Sequence, residues 1–571
     1  MKQHIKCLSE FFEVIVINED CDYRQICDKY QPDLTLFESG VKYTGSRRIY
    51  IQNTSVYPEI PKLGLHNGDS WCDCRAGFFS DMELWDIEIF FSIATTMGEH
   101  TPIITENLFV WQNFIDADIY RDYDQPKILP VMFTGYIGPL YPWRQKINKI
   151  ISEHYPSLIC PHLGYEQPVS RMLYGEQYAR VINASWFVPA CGTLAKEIVR
   201  KHFEIPASKS CLITEKSPAL EAAGFIDMQN CVFADEHNIL DKLDYLFQHL
   251  DKLERITNAG YQLVHSHHTL KQRDQIFQWF NLYKNLKSNQ NIVQTNPFEP
   301  LTVVEKSSGI RNSHIICNGL DIVLLRQGDE KLWAGKYEEA EVLYLQCHKH
   351  ISWMPEPKLR LTLCNLYKGN AKIALDWIVQ PVKYTLENYK AFDPDPVEWA
   401  YGIISLLCLG KLDIAVNHAN QFPSLSHPEL NRARWVINLL KAEGNIAPLI
   451  ENESLKHRYS IHQLPSLSFN EWIENLCIIL KSCQQFTLAE LLKNYLTLET
   501  SSFNKKENNN DRTKEVLGKK AAAIRLNWFT KLPVVSEIVY MLNPSPFKNS
   551  LIVRLRIRLK LKTRILEFLQ K

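Results

Sequence analysis

KILPVMFTGYIGPLYPWRQKI, residues 127–147, decides how this chain is read. Its first part, KILPVMFTG (127–135), is largely apolar and predicts a strand. Pro142 at the head of an amphipathic stretch predicts a helix over Pro142–His154. Strand followed by helix is an α/β unit. Between the two, Gly135 and Gly138 would allow close approach to the backbone, and Arg144 falls in the helix's first turn, where an anion is well served. An ordinary turn with a surface arginine fits the same residues.

Outward from this unit the alternation continues. FEVIVI (12–17), DLTLF (33–37), RIYIQ (48–52), ARVINAS (179–185), SCLIT (210–214) and NCVFA (230–234) read as further strands. Thr193–Phe203 and His237–Leu250 read as helices between them. Strands alternating with helices build mainly parallel sheets. The polar, Pro-ended YRDYDQP (120–126) divides the pattern into two Rossmann-like lobes, 1–125 and 126–285, with a cleft between them.

After a polar stretch read as a linker (286–310), the period becomes helical. A spaced signature recurs there: Gly335-KYEE-Ala340, Gly369-NAKI-Ala374 and Gly410-KLDI-Ala415, with a degenerate fourth copy at Gln484–Ala489. A glycine closes one helix where φ must be positive, and a small alanine five residues on lets the next helix pack closely. Residues 311–500 are therefore expected to form helix pairs similar to tetratricopeptide repeats; an irregular helical bundle is the other reading. A flexible spacer (501–515) and a basic tail (516–571) follow. The fold class is α/β followed by all-α.

The chain has 571 residues, enough for three or four domains, with 45% apolar and 22% charged residues. This composition excludes a disordered or collagen-like chain. The 64 basic and 64 acidic residues cancel, but Leu517–Lys571 holds twelve Lys or Arg against two Glu, a surplus of +10. Such a tail suits an anionic surface, and peripheral membrane contact through it is one expectation, a solvated tail the other. The fifteen cysteines are scattered from Cys7 to Cys483, the closest pair, Cys72 and Cys74, with one residue between, and make no C-x-x-C, so reduced thiols in a cytoplasmic protein are expected rather than a disulfide framework or a zinc site. No apolar run is long enough to span a bilayer. His265, His267 and His268 cluster without carboxylates at metal spacing, and no metal is expected. G-x-S-x-G, H-E-x-x-H, the P-loop and G-x-G-x-x-G are all missing, and no basic, aromatic-interleaved stripe points to nucleic acid. In KHFEIPAS (201–208), Glu204 could accept hydrogen bonds from a diol such as a ribose, with the small Ala207 and Ser208 letting a ligand come near; a surface glutamate at a helix end fits equally.

Taken in order, FTGYIGPLYPWRQKI, YARVINAS, KHFEIPAS, NCVFADEHNILDKLDYLF and NAGYQLVHSHHTLKQR resemble segments of the CgeB-like (spore-maturation type) glycosyltransferases, relatives of the group-1 glycosyltransferases of the two-lobed GT-B fold. GLHNGDSW (64–71) and FVWQNFIDADIYRDY (109–123) resemble the family's first-lobe strand end and its crossover. The resemblance covers about residues 1–285. It implies transfer of a sugar from a nucleotide-sugar donor, with no cofactor and no metal. Glu204 would hold the donor ribose, Arg144 and Lys201 would neutralise the diphosphate, and the Gly135–Gly138 turn would approach the phosphates. Ala207 and Ser208 would lie beside the donor, and His66 and Asp69 would be the catalytic residues across the cleft.

Three departures stand beside this. The chain runs straight into FEVIVI, so the lobe's first strand and its glycine-rich loop are expected to be missing. The residue eight before Glu204 is Lys196, where many retaining relatives have a glutamate; Glu197 is one off. Lys209 stands where relatives have glycine. An inactive glycosyltransferase-like scaffold, acting on a protein partner through its helical repeats, is therefore the alternative to an active enzyme.

Overall fold

A computed structural model of the chain describes residues 2–40, 48–160, 172–441 and 457–503. The expected basic tail, and the expected spacer beyond Phe503, lie outside the described residues.

The first lobe contains β1 (Cys21–Asp22), β2 (Thr35–Gly40), β3 (Ile51–Gln52), β4 (Lys62–Asn67), β5 (Ile89–Ser92) and β6 (Leu108–Val110). Four of them form a parallel sheet in the order β2-β4-β5-β6, while β1 pairs with β3. The second lobe contains β7 (Leu129–Phe133), β8 (Ser157–Ile159), β9 (Ser185–Pro189), β10 (Cys211–Thr214) and β11 (Val232–Phe233), all parallel in the order β11-β10-β9-β7-β8. Helices cover both faces, so alternate residues of one strand enter different cores. Val131 and Phe133 pack with Ile147, Ile151 and Leu243, and Met132 packs with Ile182, Phe203 and Leu212.

The helix over Pro142–His154 forms with the bounds read from the sequence. Three other expectations fail. FEVIVI forms no strand; Ile15 and Val16 are about half exposed. ARVINAS is mostly helix, Gly175–Asn183, because Tyr178, Ala179, Ile182 and Asn183 make a buried stripe at helical spacing and Glu176 pairs with Arg180 at 2.7 Å. The strand follows it as β9. Residues 193–200 are loop, and the helix there is Lys201–Ala207, with Glu204 inside it rather than at its end.

The stretch read as a linker carries an antiparallel hairpin, β12 (Gln290–Val293) with β13 (Thr302–Glu305). Ile292 and Leu301 join a core with Trp279, Phe280, Leu63 and Phe91, so the helix Gln275–Tyr283 and the hairpin both pack on the first lobe.

Beyond it lie paired helices. Gly335, Gly369 and Gly410 have φ of +75°, +80° and +70°. Each amide donates to a leucine carbonyl three residues back (2.9–3.1 Å), and the next amide donates five back (2.7–2.9 Å), the double bond that ends a helix in a left-handed cap. Gln484, at φ +62°, makes the same pair of bonds. Ala340, Ala374, Ala415 and Ala489, five residues on in every case, are all 0% exposed. The four turns are equivalent, the degenerate copy included.

These helices are docked, not tethered. Arg75 of the first lobe bonds Glu356 at 2.6 Å, and His100 bonds Asp321 at 2.7 Å, all four side chains buried. A side chain at Gly77 would collide with the Tyr389 ring, whose hydroxyl donates to Asp81 at 2.8 Å. Among the described residues no helix is long and apolar enough to cross a membrane.

Candidate functional site

The order of the second sheet places a crevice. From β7 the chain crosses first to β8 on one side and then to β9 on the other. The loops after β7 and β9 therefore part at their C-terminal ends, where open α/β sheets bind ligands. Gly135 opens the first loop at φ +93°, which other residues rarely adopt. Arg144, 2% exposed, ties the two loops together: one Nη donates to the Tyr136 carbonyl at 2.9 Å and the other to the Cys191 carbonyl at 3.3 Å. The guanidinium lies over the Tyr141 ring, 4.3 Å from its centroid.

Lys201, at the start of its helix, reaches the same point. A Cβ placed on Gly135 would sit 2.1 Å from Lys201 Nζ and 2.7 Å from an Arg144 Nη. Burial, then the neighbouring guanidinium, lowers the Lys201 ammonium to about 7, against the pull of Glu204. Two cations thus converge on one glycine, an arrangement that favours an anion of more than one charge.

Glu204 is 9% exposed. Burial raises its carboxyl, opposed by Lys201, Arg200 and a hydrogen bond with Tyr120. Gly138 stacks closely on the Tyr136 ring of its own loop, and its carbonyl accepts from the Tyr141 amide at 2.9 Å. Ala207 and Ser208 are not brought to this site. Both are 0% exposed; Ala207 belongs to the hydrophobic core and Ser208 caps the helix. Lys209 has φ +56°, the left-handed geometry a glycine takes without strain, and its ammonium bonds Asp122 at 2.5 Å. Lys209 thus closes the helix that carries Lys201 and Glu204.

The first lobe meets this edge with the loops after β4 and β5. Trp71 Nε1 donates to Thr193 Oγ1 at 3.1 Å, and Ser70 and Thr96 donate to Glu197 Oε2 at 3.1 and 3.3 Å. Burial, then the nearby Asp69, pushes the Glu197 carboxyl up to about 7. Solvent reaches Asp69, yet protein surrounds it closely enough that desolvation lifts it to about 6, with His66 opposing. Glu215, directly after β10, is raised to about 7 by burial, with Lys196 and Arg144 opposing. Spacing marked Glu197 only as a near miss, and Glu215 not at all, although its place just after a strand was the available signal.

His66 does not face the crevice. It is fully buried, edge-on to Phe78, with Nε2 3.7 Å from Cys72 Sγ and 3.8 Å from Cys74 Sγ. These three donors are buried and all within 4.8 Å of one another, close enough to hold a metal ion. Two of the three clustered histidines are held within the fold. His265 bonds the Ala207 carbonyl at 3.1 Å, and His268 stacks on Phe203 at 4.4 Å while accepting from Arg273 at 2.8 Å. The helical region overhangs the crevice: His350 Nδ1 donates to the Pro139 carbonyl at 2.8 Å, and Trp353 lies 5.8 Å from Trp71.

No curated protein matches the chain. Among solved structures, a glycosyltransferase of Rickettsia africae is 12% identical, with a TM-score of 0.34 over 46% of this chain and 80% of that one. Sucrose-phosphate synthase of Thermosynechococcus elongatus is 9% identical, with a TM-score of 0.33 over 46% and 76%. Anabaena HepE, solved in complex with UDP and glucose, is 9% identical, with a TM-score of 0.32 over 46% and 81%. Residues 135–278, from the glycine under the two cations to the helix that returns to the first lobe, match the family model described as Glycosyl transferase-like.

Proposed function

We propose that the chain is a GT-B glycosyltransferase that moves a sugar, of the hexosyl type, from a nucleotide-sugar donor to an acceptor held between the lobes. The observation that carries this reading is the convergence of Arg144 and Lys201 on Gly135 at the switch point of the second sheet. As the donor's glycosidic bond breaks, negative charge grows on the departing diphosphate, and fixed cations in a partly dry site stabilise it most at that moment. Glu204 would accept the ribose hydroxyls. Asp69 or Glu197, at the lobe boundary, would take the proton of an acceptor hydroxyl, and a carboxyl near neutrality suits that role.

The paired helices, as tetratricopeptide-like repeats, would shape the acceptor side, because His350 and Trp353 overhang the crevice. They also offer a surface to a protein partner. The reduced thiols suit a cytoplasmic setting, and the basic tail would add reversible contact with anionic membrane. The test is calorimetry of the full chain with UDP-, GDP- and TDP-sugars. One donor should bind at one site per chain and lose affinity in Lys201→Ala. A folded chain that binds none of them is instead the inactive scaffold.

A further inference from the structure

We propose that His66 Nε2, Cys72 Sγ and Cys74 Sγ bind one zinc-type metal ion beneath the loop that follows β4. In a tetrahedral zinc site the Zn–S and Zn–N bonds are about 2.3 and 2.0–2.1 Å, which puts N and S donors about 3.6 Å apart. The two N···S separations here are 3.7 and 3.8 Å. The two sulfurs lie within 4.8 Å of each other, against about 3.8 Å in a tetrahedral site, and a fourth position remains for a water or a neighbouring carboxylate.

The backbone is arranged for this meeting. The Cys72 amide donates to the Asp69 carbonyl at 3.2 Å, a turn that folds the cysteines back under His66. A Cβ on Gly68 would stand 3.2 Å from Cys72 Sγ, Cys74 Sγ and His66 Cε1 alike, so glycine at this position lets the three donors converge without displacement. Cys74 is the N-cap of the ten-residue helix Arg75–Leu84, yet its side chain caps no amide. The neighbouring Arg75 side chain braces the turn, its Nε donating to the Cys72 carbonyl at 3.0 Å.

Both thiols lie within reach of His66 Nε2, and binding of zinc there would deprotonate them. Two thiol protons leave to solvent, two thiolates neutralise the dication, and a charge-neutral centre remains in a buried place. The donor set, two soft thiolates and an imidazole, selects zinc over magnesium or calcium. The ion would not touch the donor diphosphate. It would fix the loop carrying Asp69, Ser70 and Trp71, the residues that meet Glu197 and Thr193 across the lobe boundary.

The test is cobalt titration of the full-length chain, stripped by chelator and kept reduced. One Co²⁺ per chain should bring up a near-ultraviolet thiolate charge-transfer band with visible d–d bands, both removed by one equivalent of Zn²⁺. Cys72→Ser and Cys74→Ser should each weaken the charge-transfer band and cost at least ~10-fold in Co²⁺ affinity, while Cys27→Ser changes neither. If those variants fail to fold, X-ray absorption of the zinc-loaded natural chain decides, with two sulfurs and one imidazole expected in the first shell. The proposal is overturned by no charge-transfer band in the reduced chain, by a band unchanged in both variants, by a first shell without sulfur, or by a Cys72–Cys74 disulfide in the freshly isolated protein.

Discussion

Replacing Gly135 by alanine puts a methyl group where the donor's phosphates and their cations are expected to meet. The new Cβ would lie 2.1 Å from Lys201 Nζ and 2.7 Å from an Arg144 Nη. Both contacts are to the ends of long side chains, so the clash is relieved by moving the cations, not by unfolding the loop. The backbone cost is separate: φ +93° in a residue with a Cβ strains the native state by about 1–3 kcal/mol. The larger functional effect is displacement of the ammonium from its place. A hydrogen bond to a charged group is worth about 1.5–3 kcal/mol, so affinity for a nucleoside diphosphate should fall roughly 10- to 150-fold. Calorimetry on the natural chain, Gly135→Ala, Lys201→Ala and the double variant reads this directly, with urea unfolding as the check on folding. Because the first change acts through the second residue, the two losses should not add. A folded Gly135→Ala chain that binds the diphosphate undiminished, or losses that add in full, would refute the reasoning.

Lys201 also sets a pH dependence. Its folded-state value, about 7, is below the ordinary lysine range, so its charge is lost as pH rises through 7. A bound diphosphate restores the charge. Affinity should therefore weaken above pH 7, and binding at pH 8 should take up protons, seen by calorimetry in two buffers of different ionisation heat and absent in Lys201→Met. Among the helix-pair turns, Gly335→Ala has no close neighbour and should cost ~1 kcal/mol for its left-handed backbone. Gly369→Ala should cost clearly more in urea unfolding, since its Cβ would lie 2.4 Å from the Ser482 carbonyl oxygen, a backbone atom. Glu356→Ala strands the Arg75 guanidinium in the interface and should destabilise the chain by about 3–5 kcal/mol. Equal stability of that variant and the natural chain would show that the ion pair does not hold the helices to the first lobe.

How much of this was legible depended on how local the cause was. The Gly–Ala spacing of the helix pairs and the unit at 127–147 were readable because a positive φ, a strand and a Pro-started helix are each decided within a few residues. FEVIVI has the right residues for a strand but no neighbour to pair with. Val181 and Ile182 suggested a strand, and the buried stripe across Tyr178, Ala179 and Ile182 overrode them. The hairpin at 290–305 escaped notice because its strands are only four residues long and half polar, with burial confined to Ile292 and Val293. In the site, Arg144 was legible as a cation in the first turn of a helix, whereas Lys201 was singled out only by the family resemblance, because the helix it begins was expected to start at Thr193. Ala207 and Ser208 were misplaced because smallness fits a ligand's edge and a core equally well. Glu197 and the His66, Cys72, Cys74 group depend on contacts made only when the lobes close or a turn folds back, which spacing along the chain does not encode.

The central claim is that the crevice at the β7–β9 switch point binds the diphosphate of a nucleotide sugar through Arg144 and Lys201. Phosphorus-31 NMR of UDP, GDP and TDP with the full chain tests it most directly. The account predicts that at least one nucleotide shows shifted, broadened diphosphate resonances, and that Arg144→Ala combined with Lys201→Ala abolishes the effect in a folded protein. Unperturbed resonances for every nucleotide, or a perturbation that survives the double variant, would contradict it.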